Sequence, residues 1–537
     1  MGGLSLHTCL ALIAWAVWSV FCGYIVGSPL DNIPGPKRAP LWKGNAHQLY
    51  ARHAWDFHHH LSENYGQVVK FYAPLGGRGL YVFDPKALHH VVVKDLAIFE
   101  EPRWFLHFGP GLFSTSGEHH RRQRKVLNPV FSVNHIRNMT PIFYDVARRL
   151  RRGLTAEISS AGPEVEILDW LSRTALELIG QGGLGHSLDT LESRKQNTYR
   201  DALKQLLPTH MALHFWRILL PYAVKYVPLS IRRAIGPRLP HPTMQKLRRI
   251  IDTMDGQARA IYYAKKGALE RGDKSGEHQI NDGRDMLSVL MNANRDAPES
   301  ERLDDEEVIA QISTLVFAST DTTSSTMARL VDLLARNQAV QDKLRAELLD
   351  AGPDGEDIPY DRLSELPYLD AICRETLRLY PTVTFMSREA RQDTVLPPST
   401  PIEGLDGSLV TQIAIPKDTP IIVGIRACNR NRAVWGEDAL EWKPDRWLSS
   451  LPGSVSEARV PGIYSHLMSF IGGGRACVGF KFAQLEIKVL LATLLRAFRI
   501  SPGTREVYWN LASVSYPTLG RDGDKAVTYV QLERIEA

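Results

Sequence analysis

Residues 470–480, FIGGGRACVGF, combine consecutive glycines with an arginine and a cysteine. Glycines strip the backbone of side chains, so we expect something large to lie against this loop. A lone cysteine is most often a small buried hydrophobe, and a nucleophilic Cys477 would need a general base, for which His466 is the nearby candidate. A phosphate cradle would require a Lys and a Ser or Thr directly after the glycines, and neither stands there. A thiolate ligand of haem iron fits the composition better, with Arg475 placed to pair with an acidic haem substituent.

The same loop resembles the Phe-x-x-Gly-x-Arg-x-Cys-x-Gly signature of the cytochrome P-450 family of haem-thiolate monooxygenases. The resemblance implies that Cys477 is the axial ligand of the iron of haem b, and that Phe470, Gly473, Arg475 and Gly479 belong to the cofactor-binding loop. A helix expected to begin near Gly479 would direct its positive end at the sulfur and hold it as thiolate. The thiolate would donate electron density that favours O–O cleavage.

Two further segments resemble motifs that support the haem-binding core in this family. ETLR resembles the Glu-x-x-Arg motif, and its Glu375 and Arg378 stand at i and i+3, so they share a helix face and can form a salt bridge. WKPDRW, residues 442–447, resembles the segment whose arginine, here Arg446, completes that network. For these three residues the resemblance implies structural support and no chemistry.

The resemblance also implies contacts to the haem propionates. GEHHRRQRKVLNPVF, residues 117–131, resembles the helix that carries Trp-x-x-x-Arg, where Arg124 matches the arginine and His120 replaces the tryptophan. TFMSREA supplies Arg388, which resembles a second propionate arginine. The departure at His120 leaves the contribution of the histidine open.

Residues 318–323, ASTDTT, resemble the family's Ala/Gly-Gly-x-Asp/Glu-Thr-Thr segment, where the acid and the alcohol serve oxygen activation. Asp321 follows an apolar turn, which disfavours a solvated surface position, although a carboxylate satisfied by neighbouring hydroxyls is an open alternative. The resemblance implies that Asp321 and Thr322 are catalytic and deliver protons to bound oxygen. Ser319 replaces the family's glycine, and this leaves the shape of the oxygen groove open.

The remaining pattern predicts a large, mainly helical body with a minor β component, and the resemblance implies the cytochrome P-450 fold in a single catalytic domain, residues 41–537. A short strand pair is expected around the glycines of residues 66–85, and a long helix near Asp304, where the acidic run DDEE suits the positive end of the helix dipole. The net charge of +5 on 537 residues does not indicate nucleic acid binding. The five cysteines form no CxxC pair, which argues against a zinc module and a disulfide framework.

Residues 4–27 carry no charged side chain, and a helix of that length covers the ~30 Å hydrocarbon core of a bilayer. A cleaved signal peptide is disfavoured because a basic n-region and an A-x-A-like site are missing. Lys37, Arg38 and Lys43 follow this segment and no basic residue precedes it, so the positive-inside rule places the body in the cytosol. We expect a transmembrane anchor at residues 4–27, a proline-rich hinge at residues 28–40, and single-pass localisation in the endoplasmic reticulum membrane.

The resulting hypothesis is a monooxygenase that takes electrons from NADPH through a cytochrome P-450 reductase and inserts one atom of O₂ into a lipophilic small molecule. The spacing of the motifs is most similar to membrane-bound fungal enzymes, especially those of mushroom-forming species. Arg121, Arg122, Lys125 and Lys481 form a basic cluster, ordinarily a solvated face, which on the family pattern lies where the acidic reductase docks. A terpenoid or similar secondary metabolite is the expected substrate, with a fatty acid, steroid or xenobiotic as alternatives. The resemblance implies a pocket lined by residues 99–117, 206–240, 318, 382–386 and 513–518, and Phe105, Phe317, Phe385 and Val514 suggest that its lining is apolar. A haem-thiolate isomerase or dehydratase without external electrons, and a non-catalytic haem-binding protein, are the alternatives.

Overall fold

The computed structural model describes residues 26–38, 43–102, 109–189, 197–213, 227–270 and 285–535, together with positions 14, 18 and 191. The predicted membrane anchor, residues 4–27, lies almost wholly outside these residues. Within the described ranges no helix is both long and apolar enough to cross a bilayer. Helices dominate these ranges and short strands form a minor part, which confirms the predicted mainly α fold with a small β component.

The α-helices differ widely in length, from 4 residues to the 32 residues of Asp305–Arg336. In chain order they are α1 (Ala46–Leu49), α2 (Trp55–Asn64), α3 (Pro85–His89), α4 (Gly117–Leu127), α5 (Val133–Ala161), α6 (Ile167–Leu178), α7 (Thr198–Ala212), α8 (Leu229–Ile235), α9 (Pro242–Glu270), α10 (Met286–Asp296), α11 (Asp305–Arg336), α12 (Gln338–Ala351), α13 (Tyr360–Glu365), α14 (Pro367–Leu379), α15 (Ile425–Asn429), α16 (Arg432–Trp435), α17 (Gly453–Glu457) and α18 (Phe480–Ala497).

The strands form one larger sheet and several small ones. They are β1 (Val68–Tyr72), β2 (Arg78–Val82), β3 (Phe99–Glu100), β4 (Glu164–Glu166), β5 (Met386–Ala390), β6 (Thr394–Leu396), β7 (Ile402–Glu403), β8 (Leu409–Val410), β9 (Ile413–Ile415), β10 (Pro420–Val423), β11 (Phe498–Pro502), β12 (Val507–Asn510), β13 (Tyr516–Leu519) and β14 (Tyr529–Arg534). The larger sheet has the order β1-β2-β10-β5-β3, and β11, β14 and β4 form a second sheet. The predicted strand pair is the β1–β2 hairpin, in which Lys70 lies opposite Leu80.

Helix α11 begins where the acidic run predicts a helix start. The Asp304 carboxylate accepts a hydrogen bond from the Glu307 N–H at 2.8 Å, and the Glu307 carboxylate accepts one from the Asp304 N–H at 3.1 Å. This capping box satisfies two donors that a helix start otherwise leaves free. Most of α11 is buried, but residues 317–319 and 321–322 in its middle stay partly accessible. Accessible positions halfway along a buried helix indicate an internal cleft.

Two apolar clusters meet at the cysteine loop. The larger cluster surrounds α11 and includes Phe143 of α5 and Phe482 of α18, whose rings meet edge to face with centroids 4.9 Å apart. The second cluster lies against the five-stranded sheet and includes Met468 and Ile471. Met468 and Ile471 precede Cys477, and Phe482 follows it. The chain therefore passes from the sheet core to the helical core across this loop.

Candidate active site

The cysteine loop is held by its own backbone. A 3-10 turn over Gly473–Arg475 precedes Cys477, whose N–H donates to the Phe470 carbonyl at 2.9 Å. The Cys477 side chain is exposed in accessible area, although burial is the main cause of its pKa shift. The accessible area of a side chain depends only on the atoms that touch it, whereas its pKa also depends on protein that lies farther away. The two observations together place the thiol in a cleft inside the protein.

The surroundings of the sulfur act on its pKa in opposite directions. Helix α18 begins at Phe480 with Gly479 as its N-cap, close to the predicted start. The Gly479 N–H donates to the sulfur and the Arg124 charge lies nearby, and both lower the thiol pKa. Burial raises it by more, so the net shift is upward. The helix start and Arg124 thus favour the thiolate, as the sequence predicts, whereas burial of the thiol opposes it.

The large object expected against the glycines is protein backbone. A Cβ on Gly472 would stand 1.6 Å from the Pro461 carbonyl oxygen. Gly473 has φ +69°, and a Cβ there would stand 1.9 Å from the Val92 carbonyl oxygen. Both separations are far below any real Cβ contact. These two glycines are required by neighbouring chain segments, which corrects the sequence-based explanation that they clear space for a flat macrocycle.

Arg388 is a buried arginine with unused donors. It lies on β5 with 1% of its surface exposed, and its Nη1 donates to the Ser387 carbonyl at 2.9 Å. Its Nε and Nη2 are buried without a hydrogen-bond partner. An unpaired buried donor costs about 1–3 kcal/mol, and more for a charged group. Such a residue is stable in the fold if an anion binds there.

A second arginine and one carboxylate lie beside Arg388. Arg475 Nη2 donates to the Thr115 carbonyl at 2.6 Å. Glu101 stands between the two arginines, 3.6 Å from Arg388 Nη1 and 3.8 Å from Arg475 Nη1. These separations are too long for direct hydrogen bonds. The guanidiniums are therefore only partly neutralised by protein.

His120 and Arg124 of α4 complete this basic group. His120 is 7% exposed, and its pKa is lowered to about 3, first by burial and then by the charges of Arg475 and Arg124. The imidazole is therefore neutral at physiological pH. Arg124 donates to the Ala476 carbonyl, next to the cysteine. The structure thus brings α4 and the cysteine loop together, as the resemblance implies.

These residues fit a haem. The chain offers an accessible thiol in an internal cleft, three arginines converging beside it, and buried guanidinium donors without partners on one of them. A thiol suits the iron, and unpartnered guanidinium donors suit the two propionates. Phe470 adds an aromatic ring between Tyr464 and Phe480, with centroid separations of 5.6 and 6.1 Å. The donor set therefore matches each part of the cofactor.

Asp321 is a carboxylate at the partly accessible middle of α11, enclosed by protein, with no hydrogen bond or ion pair to another described side chain. Burial raises its pKa to about 6, and the charge of Lys204 opposes the shift only in part. Neighbouring hydroxyls do not satisfy it, because Thr322 Oγ1 donates to the Ala318 carbonyl at 2.6 Å and Ser324 Oγ to the Asp321 carbonyl at 3.3 Å. The alternative of a carboxylate held by nearby alcohols is therefore wrong. Asp321 can take up and release protons near neutral pH.

The hydroxyls around Asp321 donate back into the helix. Ser319 Oγ and Thr320 Oγ1 both donate to the Val316 carbonyl, at 3.3 and 2.8 Å. Such bonds commit the hydroxyl proton to the backbone but leave the oxygen lone pairs free to accept. Ser319 therefore offers the cleft the same kind of acceptor as Thr322, at the position where the family has glycine.

The three supporting residues are in contact. Arg378 Nε and Nη2 donate to the two Glu375 carboxylate oxygens, each at 2.8 Å, and both side chains are fully buried. Arg446 Nε stands 3.5 Å from Glu375, and Arg446 Nη1 donates to Asp438 at 2.8 Å. Trp447 Nε1 donates to Glu375 at 2.9 Å. The network joins α14 to the 444–448 turn.

Sequence reasoning missed Glu486. It lies on α18, is fully buried, and accepts a hydrogen bond from Thr323 Oγ1 at 3.0 Å through Oε2, while its Oε1 has no partner. Burial raises its pKa well above the ordinary value, and the hydrogen bond from Thr323 opposes this shift only in part. The sequence feature that could have revealed it is an acidic residue in the middle of the apolar run FKFAQLEIKVLL. Glu486 links the helix after Cys477 to the helix of Asp321.

The segments expected to line a substrate pocket are only partly brought together. The Ser515 N–H donates to the Thr382 carbonyl at 2.9 Å, so these two segments touch. Phe385 instead stacks on His58, with centroids 5.3 Å apart, and packs with the sheet core. Phe385 remains partly accessible, and its place among the pocket residues stays a prediction. Phe105 lies outside the described residues.

The basic cluster near the cysteine loop is less charged than its sequence suggests. The ion pairs are Arg121 with Glu118 at 2.7 Å, Arg122 with Glu307 at 3.0 Å and Lys125 with Glu301 at 2.6 Å. Lys481 stands 5.6 Å from the Phe480 ring centroid. Three of the four basic side chains are therefore paired with acids.

Known proteins resemble the chain over nearly its full length. A cytochrome P-450 family model matches residues 33–511. Cytochrome P-450 monooxygenase 91 of Postia placenta is 49% identical, over 98% of this chain and 97% of the relative. A ganoderic acid synthetase of Ganoderma lucidum is 43% identical, over 96% of each chain, and a cytochrome P-450 monooxygenase of Hericium erinaceus is 35% identical, over 93% of this chain and 92% of the relative. With the thiol, arginines and acid–alcohol pair in place, the chain belongs to the cytochrome P-450 family of haem-thiolate monooxygenases.

Proposed function

We propose that this chain oxidises a lipophilic terpenoid or similar secondary metabolite with O₂ and NADPH-derived electrons from a cytochrome P-450 reductase. Asp321 carries the proposal, because a carboxylate enclosed by protein, with a pKa raised to about 6, suits proton delivery. An isomerase or a haem carrier has no need for such a group. A relative 43% identical is named a ganoderic acid synthetase, which supports a terpenoid substrate.

Each site residue has a part in this proposal. Bound haem supplies a thiolate-ligated iron on which O₂ is activated. Cys477 holds the iron, while Arg124, Arg388 and Arg475 hold the propionates. Asp321 carries the proton at its carboxylate, and Thr322 orients water through the lone pairs of a hydroxyl that donates to the Ala318 carbonyl. Cys477→Ser should abolish the carbon monoxide difference band of the reduced protein, whereas Cys373→Ser should retain it.

The apolar lining of the cleft supports a lipophilic substrate. Phe317 of α11 and Phe113 meet edge to face, with centroids 6.1 Å apart. Phe317 belongs to the accessible middle of α11, immediately before the acid–alcohol segment. A hydrocarbon skeleton placed against these rings loses contact with water, which favours binding.

We further propose that residues 4–27 anchor the chain in the endoplasmic reticulum membrane with the catalytic domain in the cytosol. The uncharged stretch and the basic residues after it support this arrangement. Deleting residues 1–27 should release much of the protein from the membrane pellet. A truncated, non-aggregated protein that stays wholly in the pellet would contradict the single anchor.

The function is tested by comparing NADPH consumed, peroxide released and product formed. Asp321→Asn should reduce product formation by about 10²–10⁴-fold at unchanged haem content, because proton delivery by a placed side chain is worth that much. The Thr322→Ala variant should keep consuming NADPH, but the electrons should reduce O₂ to hydrogen peroxide, which is released, instead of forming product. Thr320→Ala is the matched control, since Thr320 makes the same bond into the helix but is 3% exposed and away from the cleft.

The outcomes separate the three classes of protein. An isomerase would turn its substrate over without NADPH, and a carrier would show no substrate-stimulated NADPH consumption. Unchanged product yield per NADPH in both variants would refute the roles of Asp321 and Thr322. Candidate terpenoids fed to yeast that expresses this chain with a reductase would identify the substrate, with the Cys477→Ser strain as the control.

A further inference from the structure

Two neighbouring cavities lie beside α15, and their lining residues do not include any from the cysteine loop. Their volumes are about 130 and 170 Å³, and they share Trp55, Thr384 and Arg426 in their linings. A buried water needs about 10–15 Å³ on this measure. Each cavity can therefore hold several waters or a small polar ion.

Four arginines line these cavities, and one of them, Arg432, lies near Glu63 and Glu437. Arg426 faces both cavities, Arg430 lines the smaller and Arg329 the larger. Arg430 Nε donates to the Leu379 carbonyl at 2.7 Å, whereas the Arg329 and Arg426 guanidiniums make no hydrogen bond or ion pair with any described residue. Like charges that share one site repel each other unless an anion lies between them.

Aromatic rings hold the guanidiniums in place. Arg329 lies 3.5 Å from the Trp509 ring centroid and 4.5 Å from that of Tyr380. Arg426 lies 4.6 Å from the Trp55 centroid. Stacking on a ring stabilises a cation but leaves the N–H donors at its edge without acceptors. The donors are therefore fixed in position and unsatisfied.

The nearest carboxylates are already engaged. Asp332 accepts from Arg336 Nε at 2.8 Å and from Trp509 Nε1 at 3.4 Å. Glu63, at the outer end of the smaller cavity, stands 3.8 Å from both His59 and Arg432. In agreement, burial lowers the pKa of Arg329 to about 9 and that of Arg426 to about 10, with little opposing effect from acids.

An unpartnered hydroxyl also lies in the shared wall. Thr384 is 4% exposed, and its buried Oγ1 has no hydrogen-bond partner. Because Thr384 lines both cavities, its hydroxyl and the arginine donors converge on the same space. A buried hydroxyl without a partner is an independent sign that a polar group binds there.

We propose that these cavities bind a phosphate-type oxyanion through Arg329, Arg426 and Arg430, with Thr384 as a neutral donor. A phosphate accepts several N–H bonds at once and matches the planar fork of arginine better than chloride or water does. The source is either free phosphate or a phosphorylated headgroup. The bound anion would fasten α11 and α15 to the β12–β13 hairpin.

Binding is tested on the full-length haem-loaded protein in detergent. Inorganic phosphate and glycerol 3-phosphate are titrated by calorimetry, and the Tm is compared with that in chloride at equal ionic strength. We expect saturable phosphate binding and a higher Tm in phosphate. Arg426→Gln should weaken phosphate binding at least tenfold, while the control Arg362→Gln, an exposed arginine, should not.

The relative affinities for the two compounds identify the ligand, and the variants test the site. Binding of glycerol 3-phosphate tenfold tighter than phosphate would assign the site to a headgroup, and equal binding would assign it to the free ion. If neither compound binds the wild type, or if Arg426→Gln binds as well as the wild type, the proposal is overturned. Should Arg426→Gln fail to fold, Arg426→Lys, which keeps the charge but loses the fork, must still bind phosphate more weakly than the wild type.

Discussion

Arg378 and Arg388 are both almost completely buried, at 0% and 1% exposure, yet their surroundings differ. Arg378 pairs with Glu375 through two bonds of 2.8 Å and also donates to the Ala439 carbonyl at 2.6 Å. Arg388 has one backbone bond, a distant Glu101 and two nitrogens without partners. The protein therefore supplies acceptors for the guanidinium donors of Arg378, whereas two of the donor nitrogens of Arg388 have none.

This difference distinguishes a buried arginine that supports the fold from one that binds a ligand. A buried charge whose partners all come from the chain stabilises the fold by its presence and does nothing further. A buried charge with missing partners costs free energy in the empty protein, and a ligand of opposite charge recovers that cost. By this criterion Arg378 is structural, whereas Arg388 marks a place for an anionic group.

The comparison is tested most strongly at Glu375. Glu375→Gln keeps the shape but leaves the Arg378 charge buried without a counter-charge, which typically costs about 3–5 kcal/mol. The free energy of unfolding, measured with denaturant, should fall by this amount and haem content should fall with it. Glu441→Gln is the control, because Glu441 is exposed and pairs with an exposed Lys443. A change below about 1 kcal/mol at Glu375 would remove the distinction drawn here.

Asp321 extends the comparison to a charge of opposite sign that protein encloses. Its folded pKa of about 6 lies above the ordinary value of 3.8, so the folded protein keeps a proton there that the unfolded chain releases. Its contribution to stability is therefore fully present below about pH 4 and lost as pH rises through about 6. Asp321→Asn should be more stable than the wild type by up to about 3 kcal/mol at pH 8, and the gain should vanish towards pH 4. Parallel stability–pH curves would contradict this.

The contrast at Arg388 should appear in cofactor retention instead of folding. Arg388→Gln removes a charged donor worth about 1.5–3 kcal/mol to an anion, so haem affinity should fall roughly 10–100-fold. The haem-free variant should be at least as stable as haem-free wild type. Haem transfer to an excess of scavenger protein measures the first effect and denaturant unfolding the second. Arg345→Gln should instead lower the free energy of unfolding and leave haem affinity unchanged. The reason is that Arg345 is bonded to Gln341, Asp342 and the Leu495 carbonyl.

The smallest effect is expected at an exposed pair with good geometry. Arg137 Nη2 donates to Asp361 at 2.6 Å, but the side chains are 44% and 65% exposed. Asp361→Asn should change the free energy of unfolding by less than about 1 kcal/mol, and less still at high salt. A larger loss would mean that distance, not burial, decides what an ion pair contributes in this fold.

The sequence predicts these features unequally. The cysteine loop, Glu375 and Arg378 could be found because a fixed local spacing carries them, and the structure has each in the expected element. The role of Gly473 could not, since it depends on Val92, almost four hundred positions earlier. The neighbours of Phe385 also depend on tertiary packing, which local apolar pattern does not specify.

Glu101 and Glu486 show a second limit. The partners of both acids lie far away in the sequence, and only the fold places Glu101 between two arginines and Glu486 against Thr323. Burial, which raises the pKa of both Glu486 and Asp321, is a property of the assembled core. Residue type shows which side chains can titrate, and packing decides the pH at which they do so.

The contact of Gly473 with Val92 has a consequence for biogenesis. The carbonyl of Val92 fills the space beside Gly473, so the cysteine loop is complete only when a segment near the start of the chain has docked against one near its end. Contacts between such distant segments form late, because closing a long loop costs entropy before any contact compensates for it. We therefore expect the chain to emerge from the ribosome almost whole before it can hold iron, so haem supply would limit maturation only after synthesis ends.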